Sequence, residues 1–475
     1  MNAEMLHLGE KMMKRNVRLK YKLSLLLPVL VIISSAACNR GGVRAEEFWI
    51  VDTQDEWEAA MSGSENLSLV KGFAEPTESN AGYESIIKTF AEKRRPGEIV
   101  FRQSPAWDNW EKIENIGPTD ACNAPVLICI ADGDYWILDE PGDTEGAGGY
   151  HAWHSTDMKS WVHKGQVTDF SWVTTAEYAD GKFYIYYDKP NDEDPHLVID
   201  EDLTDGKYED RGMVFADPSH GSDAGILRDE DGTFHLIYED WTPINARQHG
   251  WDSPLAGHAD SPDGINGFEP HEYPPPIDER TTPTGEFDTY IHDTTRDAYK
   301  FEIHEGPQNA FGDYTLFKVG SRYYIFCDFD PHDGPIHLAY WTSDSIAARF
   351  EWGGELGERM HPDPTMGFAE GRFYLMVQPE DYDYASPGPW VNGVEARVGV
   401  DRNGDGEIDE WTDWRAVSES YSRKPGFARI VELSPAKLDL SSLPAGYGFK
   451  FEFRLEVTTP DIAKPVIDQV KMVLK

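Results

Sequence analysis

The sequence predicts an all-β protein whose main domain is a five-bladed β-propeller. The first observation is a repeat, because five segments each carry a short apolar run, a glycine-containing turn and an aromatic-rich run. The turn glycines are Gly133, Gly181, Gly232, Gly320 and Gly371. The second observation is turn chemistry. Asp-Gly between two apolar runs is a strong hairpin signal, because that turn requires positive φ.

The spacing of the repeats predicts the size of the blades. The turn glycines lie 48, 51, 88 and 51 residues apart, and about 50 residues is the length of a four-stranded propeller blade. The longest interval predicts an insertion at roughly 241–303 that supplies loops around the central pocket. Because the first strands of all blades surround one axis, the residues at their starts are expected to converge on that pocket.

The amino-terminal 37 residues predict export. Basic residues precede an apolar stretch, Leu23–Ile33, which is too short to span a bilayer. The run Ser35–Cys38 resembles a bacterial lipobox, which makes Cys38 a predicted lipidation site, with plain cleavage as the alternative. The expected location is therefore the outer membrane or cell surface, or else the periplasm or medium. A membrane contact is expected only through this anchor.

Two flanks surround the propeller, which is predicted over 118–390. The segment 45–117 is predicted as a short, partly helical flank. Its expected elements are helices near Asp55–Met61 and Tyr83–Arg94 and a strand near Ile99–Phe101 that closes the propeller. The segment 391–475 contains alternating apolar and polar residues, which predicts a C-terminal β-sandwich.

The charge of the chain excludes several classes of partner. The formal net charge is −42, from 43 basic and 85 acidic residues. Such a surface repels nucleic acid and anionic membranes, so neither is an expected partner. Beyond Cys38 the cysteines are Cys122, Cys129 and Cys327, which form neither a disulfide framework nor a CxxC metal motif. No motif for an organic cofactor is present.

Three blade segments carry more specific patterns. Trp172–Tyr187 contains a tryptophan followed by Gly-Lys-Phe-Tyr-Ile-Tyr-Tyr, Asp223 precedes Asp229–Gly232, and His304–Pro307 reads His-Glu-Gly-Pro before Tyr323–Phe326. These patterns resemble the blade signatures of glycoside hydrolase family 43, whose clan also contains families 62 and 117. The resemblance covers roughly 120–376 and implies a propeller glycosidase that acts on an oligo- or polysaccharide.

The resemblance also implies catalytic roles for carboxylates. Glu305 matches the general acid of the family, and Asp223 matches the carboxylate that orients that acid and tunes its pKa. The family carries its general base at the start of the first blade, where this sequence has Ala124, so the nearest carboxylate, Asp120, is the predicted base. Inverting glycosidases separate acid and base by about 6.5–9.5 Å to admit a water molecule.

Histidines and one tryptophan complete the predicted pocket. A histidine before the glutamate, His304, is also similar to family 117. That similarity implies histidine as an alternative acid and 3,6-anhydro-galactose-terminated oligosaccharides as an alternative substrate. A strand-edge structural role for His304 remains open. The predicted substrate-binding residues are Trp172, His258, His332 and His361, although Trp172 is equally consistent with burial in a blade and His332 with a capped turn. Either His361 or Asp363 is expected to face the axis.

A loop in the C-terminal segment predicts structural Ca²⁺. Oxygen-bearing residues occupy alternate positions, and Gly406 stands where an EF-hand-type loop turns sharply. The predicted ligands are Asp401, Asn403, Asp405, Glu407 and Asp409. The usual glutamate at position 12 is replaced by Thr412, and an acidic turn without metal is the alternative interpretation.

Three functions remain open at this stage. The leading prediction is an exported, inverting glycosidase that cleaves a plant or algal glycan. The second is a non-catalytic glycan-binding surface lipoprotein with a degenerate propeller, which the missing aspartate of the first blade favours. The third is a propeller that serves protein interactions.

Overall fold

The structure is a computed structural model. It describes residues 47–70, 72–103, 111–112, 124–141, 149–189, 194–216, 222–239, 256–270, 291–293, 300–302, 309–331, 334–356, 363–377, 384–385, 394–417, 419–455 and 466–475. The predicted signal segment with Cys38 lies outside these residues, and so do Asp120, His304, Glu305, His332 and His361. Within the described ranges, no helix has the length and apolarity required to cross a membrane.

The first described segment contains one helix among strands. Its elements are β1 (Glu47–Val51), α1 (Gln54–Ala60), β2 (Met61–Glu65), β3 (Leu67–Val70), β4 (Phe73–Pro76), β5 (Ala81–Ser85), β6 (Lys88–Arg94) and β7 (Pro96–Gln103). A capping box between Thr53 and Glu56 starts α1. The helix buries Trp57, whose indole N–H donates to the Gly72 carbonyl at 2.8 Å. The helix predicted near Asp55–Met61 is confirmed.

The central part of the chain forms radially arranged antiparallel sheets. A short strand, β8 (Glu111–Lys112), precedes them. The first blade is β9 (Val126–Ala131), β10 (Asp134–Asp139), β11 (His151–Ser155) and β12 (Trp161–Gln166). The second is β13 (Val173–Ala179), β14 (Lys182–Asp188), β15 (Pro195–Asp200) and β16 (Glu209–Met213). The third is β17 (Gly225–Arg228), β18 (Phe234–Glu239), β19 (Ala256–Ser261) and β20 (Glu269–Pro270).

Two further sheets follow a small hairpin of β21 (Ile291–Asp293) and β22 (Lys300–Glu302). The fourth blade is β23 (Ala310–Val319), β24 (Arg322–Asp330), β25 (His337–Ser343) and β26 (Glu351–Leu356). The described part of the fifth is β27 (Thr365–Ala369) and β28 (Arg372–Met376), and β29 (Tyr384–Ala385) pairs with β8. The insertion predicted at 241–303 is interrupted, because β19 and β20 complete the third blade within it.

The innermost strands form a closed ring. Strand β9 contacts β13, β13 contacts β17, β17 contacts β23, β23 contacts β27, and β27 returns to β9. We call the centre of this ring the hub. The all-β fold predicted from the repeats is confirmed, and each predicted hairpin occurs at its turn glycine.

Threonines on the innermost strands join neighbouring blades. Thr365 Oγ1 accepts the Leu127 N–H at 2.9 Å and links the fifth blade to the first. Thr175 Oγ1 accepts the N–H of Ile226, on the third blade, at 3.3 Å. Thr315 donates to the Pro364 carbonyl at 2.8 Å. Buried polar groups on the ring thus satisfy one another across the blade boundaries.

The C-terminal part adds eight strands. They are β30 (Val394–Asp401), β31 (Glu410–Trp411), β32 (Arg415–Ala416), β33 (Ser420–Arg423), β34 (Ile430–Ser434), β35 (Ala436–Asp439), β36 (Gly446–Leu455) and β37 (Ile467–Leu474). One sheet has the order β3-β4-β37-β7-β35, with β1 also on β37. A second has the order β2-β5-β36-β30-β31, with β6 on β36 and β32 on β30. Strands β33 and β34 extend the fourth blade instead.

The predicted N-terminal flank requires a correction. The segment Tyr83–Arg94 is not helical but lies in β5 and β6, because both strands find partners on β36. Alternate residues of β5 are buried, as a strand with one face on a core requires. The strand predicted near Ile99–Phe101 exists as β7, yet it pairs with β35 and β37 and does not close the propeller. The sandwich is therefore built from both flanks.

Candidate functional site

One residue stands at or near the start of each innermost strand, and we call it the head residue of that blade. The head residues lie seven to nine positions before the turn glycines and are Ala124, Trp172, Asp223, Asp313 and Asp363. Four of them have positive φ, of 64° at Trp172, 46° at Asp223, 50° at Asp313 and 59° at Asp363. Among non-glycine residues, aspartate is one of the few that is enriched in this backbone region. The head residues mark one end of the hub.

Buried carboxylates on second strands hold the head residues in place. Asp188 Oδ2 accepts the Asp223 N–H at 3.1 Å, and Asp328 Oδ1 accepts the Asp363 N–H at 2.9 Å. Asp188 also donates its own N–H to the Trp172 carbonyl at 2.9 Å. Hydrogen bonds to a carboxylate are stronger than neutral ones. In two places, therefore, a buried aspartate on a second strand fixes the backbone of the head residue of the next blade.

The third and fourth head residues are neighbours. The N–H of Tyr314, which follows Asp313, donates to the Asp223 carbonyl at 3.4 Å. This contact joins the third blade to the fourth at the head end of the hub. Asp223 is half-buried.

Three carboxylates converge between the fourth and fifth blades. One oxygen from each of Asp313, Asp328 and Asp363 lies within 4.8 Å of the others. In the described ranges this is the one group of three or more His, Cys, Asp or Glu residues with such spacing. Like charges this close favour proton sharing or a bound cation, and oxygen donors are the type that Ca²⁺ takes.

The pKa of the buried Tyr150 is affected by the negative charge at this end of the hub. Tyr150 is 1% exposed and donates to the carbonyl of Ala124 at 3.4 Å. Burial raises the pKa of Tyr150 well above its usual range, and the carboxylates of Asp139, Glu140, Asp363 and Asp313 raise it further. The first blade contributes an alanine as its head residue, so its side chain there carries no carboxylate.

The predicted residues within the described ranges divide into two groups. Asp223 and Trp172 are both head residues, as their positions at blade starts predicted. His258 is different, because it is only 2% exposed and its Nε2 lies 3.1 Å from Nδ1 of His235. The prediction that His258 lies on the pocket rim is therefore wrong: β18 and β19 pair directly and hold both rings inside the third blade.

The sequence interpretation missed Asp313, Asp328 and Tyr150, and it named Asp363 only as one of two axial alternatives. Counting back from the turn glycine found Asp223 because the third blade has no bulge. In the fourth blade the register shifts between Gly312 and Thr315, and this bulge displaces Asp313 along the chain. A search for aspartate seven to nine residues before a turn glycine would have found Asp313, which lies seven residues before Gly320.

The loop predicted to bind Ca²⁺ adopts a series of tight turns. Asp401 accepts the N–H groups of Gly404 at 2.6 Å and Gly406 at 3.0 Å. Burial would raise the pKa of Asp401, but backbone N–H donors outweigh it and lower that pKa below its usual value. Asn403 Oδ1 accepts from Asp405, and Asp405 Oδ1 from Glu407, both at 2.9 Å. Gly406 has φ of +86°, the sharp turn that the loop pattern requires.

The donor set of this loop suits Ca²⁺. Asp401, Asn403, Asp405 and Glu407 all offer oxygen atoms, and the remaining predicted ligand, Asp409, folds back to accept the Arg402 N–H at 2.7 Å. Hard cations such as Ca²⁺ bind to sets of carboxylate and amide oxygens. The residues present therefore fit the ion by type.

Comparison with known proteins finds a family match over part of the chain. The sequence profile of Glycosyl hydrolases family 43 matches residues 120–263. The matched segment begins at the predicted base Asp120, includes the head residues Trp172 and Asp223, and ends before Glu305. No curated protein sequence matches the chain. The resemblance inferred from the blade motifs is confirmed over this segment.

Solved structures with a similar fold are distant in sequence. An endo-arabinase from Bacteroides thetaiotaomicron is 8% identical with a TM-score of 0.41, covering 58% of this chain and 96% of its own. An α-L-arabinofuranosidase from Clostridium thermocellum is 13% identical with a TM-score of 0.37, covering 66% of this chain and 95% of its own. A Bacillus subtilis arabinanase is 15% identical with a TM-score of 0.37, covering 57% and 94%. Similarity at this level identifies no substrate.

The family match, on a ring of blades with acidic head residues, defines the class of protein as a glycoside hydrolase. The sequence prediction of a glycosidase is thereby confirmed at the level of the class. Its substrate is accordingly a carbohydrate.

Proposed function

We propose that the protein is an exported glycoside hydrolase that cleaves a plant or algal glycan at the head end of the hub, with inversion at the anomeric carbon. The observation that carries the proposal is Asp223. It lies inside the matched family segment, at the head of its blade, with its backbone held by the buried Asp188. A carboxylate on a backbone held in this way can orient the catalytic acid and tune its pKa without a conformational change.

Each carboxylate has a distinct role in the proposed reaction. Glu305 donates a proton to the leaving oxygen as the bond to the anomeric carbon breaks. Asp223 remains ionised, and its negative charge raises the pKa of Glu305 so that the acid keeps its proton near neutral pH. Asp120 removes a proton from the water that attacks the opposite face of the sugar. His304 is the alternative proton donor, because imidazole titrates near neutrality.

The hub geometry restricts the choice of base. Ala124 carries no proton acceptor on its side chain, which leaves the role to a residue outside the head of the first blade. Asp120 therefore stays the proposed base.

Substrate contacts are proposed at the head end of the hub. Trp172 is half-buried at the head of the second blade, and aromatic faces pack well against the apolar faces of sugar rings. His332 and His361 remain proposed contacts from the sequence. If His304 is the acid, 3,6-anhydro-galactose-terminated oligosaccharides become the favoured substrate.

A panel of plant and algal glycans tests the proposal. We expect the purified chain to release reducing sugar from at least one member of the panel. Glu305→Gln should lower kcat by about 10²- to 10⁴-fold, the usual contribution of a general acid. Glu351→Gln, an exposed glutamate on the outermost strand of the fourth blade, is the matched control and should retain activity. The anomeric configuration of the newly released sugar, read by NMR before mutarotation, reports inversion or retention directly.

A second function is favoured by one observation, the alanine at the head of the first blade. Without a base the propeller would bind glycan and leave it intact. Retained binding with no hydrolysis across the whole panel would establish this lectin function and overturn the hydrolase proposal. Export and lipidation of Cys38 stay part of the proposal, and recovery of the chain in the membrane fraction, lost in Cys38→Ala, tests them.

The Asp401–Asp409 loop is proposed to bind structural Ca²⁺. With a dissociation constant of 10⁻⁴–10⁻³ M, typical of extracellular modules, 10 mM Ca²⁺ should stabilise the fold by about 1.4–2.7 kcal/mol. We expect Tm to rise in Ca²⁺ and fall in EGTA. Asp405→Asn keeps the acceptor for the Glu407 N–H but removes a charge, so it should weaken the Ca²⁺ response. An equal response in wild type and variant would exclude this loop.

A further inference from the structure

A hairpin from the C-terminal part of the chain closes the end of the hub opposite the head residues. It comprises β33, β34 and the turn between them, Ser420–Ser434, and we call it the clasp. Strand β34 runs parallel to the innermost strand β23, pairing Lys318 with Ile430 and Val319 with Val431. The clasp thus joins the sheet of the fourth blade, although it lies between sandwich strands in the sequence.

The clasp contacts the remaining blades through different side chains. Tyr421 and Val431 pack in a cluster with Phe368 and Phe373 of the fifth blade. Arg423 bonds Asp132 of the first blade at 2.9 Å. Lys424 bonds Glu230 at the turn of the third blade.

Arg429 extends the clasp to the second blade. Arg429 is only 3% exposed. Its Nε and Nη2 donate to the Ala176 carbonyl, midway along β13, at 3.3 and 3.0 Å. Its guanidinium also lies 5.8 Å from the ring of Phe317 on the fourth blade. The clasp therefore contacts all five blades, and Arg429 is the residue that reaches β13.

The charge of Arg429 is balanced inside the ring. Glu177, also on β13, is 1% exposed, and its oxygens accept the N–H groups of Tyr178 at 2.9 Å and Arg228 at 3.2 Å. Burial raises the pKa of Glu177, while the charge of Arg429 and these N–H donors lower that pKa in part. Burial lowers the pKa of Arg429, and Glu177 opposes that change. The other charged or titratable groups that act on the two residues are Arg228, the Cys129 thiol and the phenol of Tyr186.

We propose that Arg429 is a positioning residue for the catalytic end of the hub. Its Nε and Nη2 both bond the Ala176 carbonyl and thereby fix the position of β13, whose head residue is Trp172. The clasp thereby sets the position of one wall of the substrate pocket from the opposite end of the propeller. The kinetic consequence rests on the proposed glycosidase function, whereas the fixing of β13 does not.

A double-substitution cycle tests this role in the full-length chain. Arg429→Met removes both bonds to the Ala176 carbonyl and the positive charge that opposes the burial of Glu177. Tm should therefore fall by about 5 °C or more. Adding Glu177→Gln removes the orphaned charge, so the double variant should recover most of that loss. Arg415→Met, an exposed arginine on β32, is the matched control and should leave Tm unchanged.

The double variant separates positioning from stability. Hydrogen–deuterium exchange of the segment 172–179 should accelerate about 10-fold or more in it, because the bonds to Ala176 are lost. Exchange of the sandwich strand β36, Gly446–Leu455, should not change. kcat on the glycan substrate should fall about 10-fold with KM within a factor of two, since small displacements of a substrate wall cost rate. Arg429→Lys, which keeps the charge, should lie between wild type and the double variant.

Two results would overturn the proposal. One is a double variant with recovered Tm, unchanged exchange over 172–179 and wild-type kcat, which would reduce Arg429 to a stabilising residue. The other is an Arg429→Met protein with wild-type Tm and exchange. If the wild-type chain hydrolyses no glycan, the proposed function fails, and the exchange measurement still decides whether Arg429 fixes β13.

Discussion

Asp223→Asn is expected to lower kcat by about 10²- to 10⁴-fold while leaving the fold intact. The reason for an intact fold is the backbone, since Asp223 has φ of 46° and asparagine tolerates this region as well as aspartate. The N–H that bonds Asp188 is also unchanged. Only the negative charge is removed, so the loss of rate measures the charge itself.

The pH profile of this variant gives a second, directional result. In wild type the charge of Asp223 raises the pKa of the acid, which therefore stays protonated to higher pH. Without that charge the acid loses its proton earlier, and the basic limb of kcat/KM should move down by about one pH unit or more. A profile that keeps its wild-type basic limb would remove Asp223 from the proposed role.

Asp180→Asn is the matched control for this experiment. Asp180 also has positive φ, of 53°, but it lies in the turn of the second blade, with 74% of its side chain exposed. The same chemical change at this distance from the head residues should leave kcat and the pH profile unchanged. Equal losses in both variants would indicate a general electrostatic effect of the acidic surface.

Gly225→Ala is expected to destabilise the ring of innermost strands strongly. A Cβ at Gly225 would lie 2.3 Å from the Tyr314 carbonyl oxygen and 2.5 Å from Leu316 Cδ1. The first of these atoms belongs to the backbone of the neighbouring blade, so strand β17 or β23 must shift. Overpacking of this kind costs about 1–3 kcal/mol or more, and thermal unfolding should show a Tm lowered by several degrees.

Gly82→Ala provides the contrast on a strand of the sandwich. There the Cβ would meet only the Phe453 carbonyl, at 3.8 Å, which is an ordinary contact. Glycine-to-alanine changes at compatible sites stabilise slightly, because they restrict the unfolded chain. We expect Tm to stay the same or rise a little. A Gly225→Ala protein as stable as Gly82→Ala would contradict the close approach of the blades.

The sequence was sufficient for the propeller because its signals are local and repeated. Each hairpin depends on a turn glycine and two short runs, and five copies of the same pattern leave little ambiguity about the sheets. Asp223 was found for the same reason, since its strand has a regular register from head to turn. The family resemblance then supplied the chemical role.

The missed features depend on contacts between residues far apart in the chain. Residues 88–94 have a composition that favours helix, and only their pairing with β36, more than 350 residues later, makes them a strand. Likewise Asp313, Asp328 and Asp363 belong to three separate runs, and only the packing of two blades brings their oxygens together. His258 was placed on the rim because its register in the third blade could not be read from one strand.

Pairing between the two ends of the chain has a consequence for biogenesis. Strand β1 pairs with β37, and β7 also pairs with β37. During synthesis at about 5–20 residues per second, these early strands wait roughly 20–85 s for their partner strand to leave the ribosome. Until β37 is made, neither β1 nor β7 can form this pairing, so the sandwich is completed only at the end of synthesis.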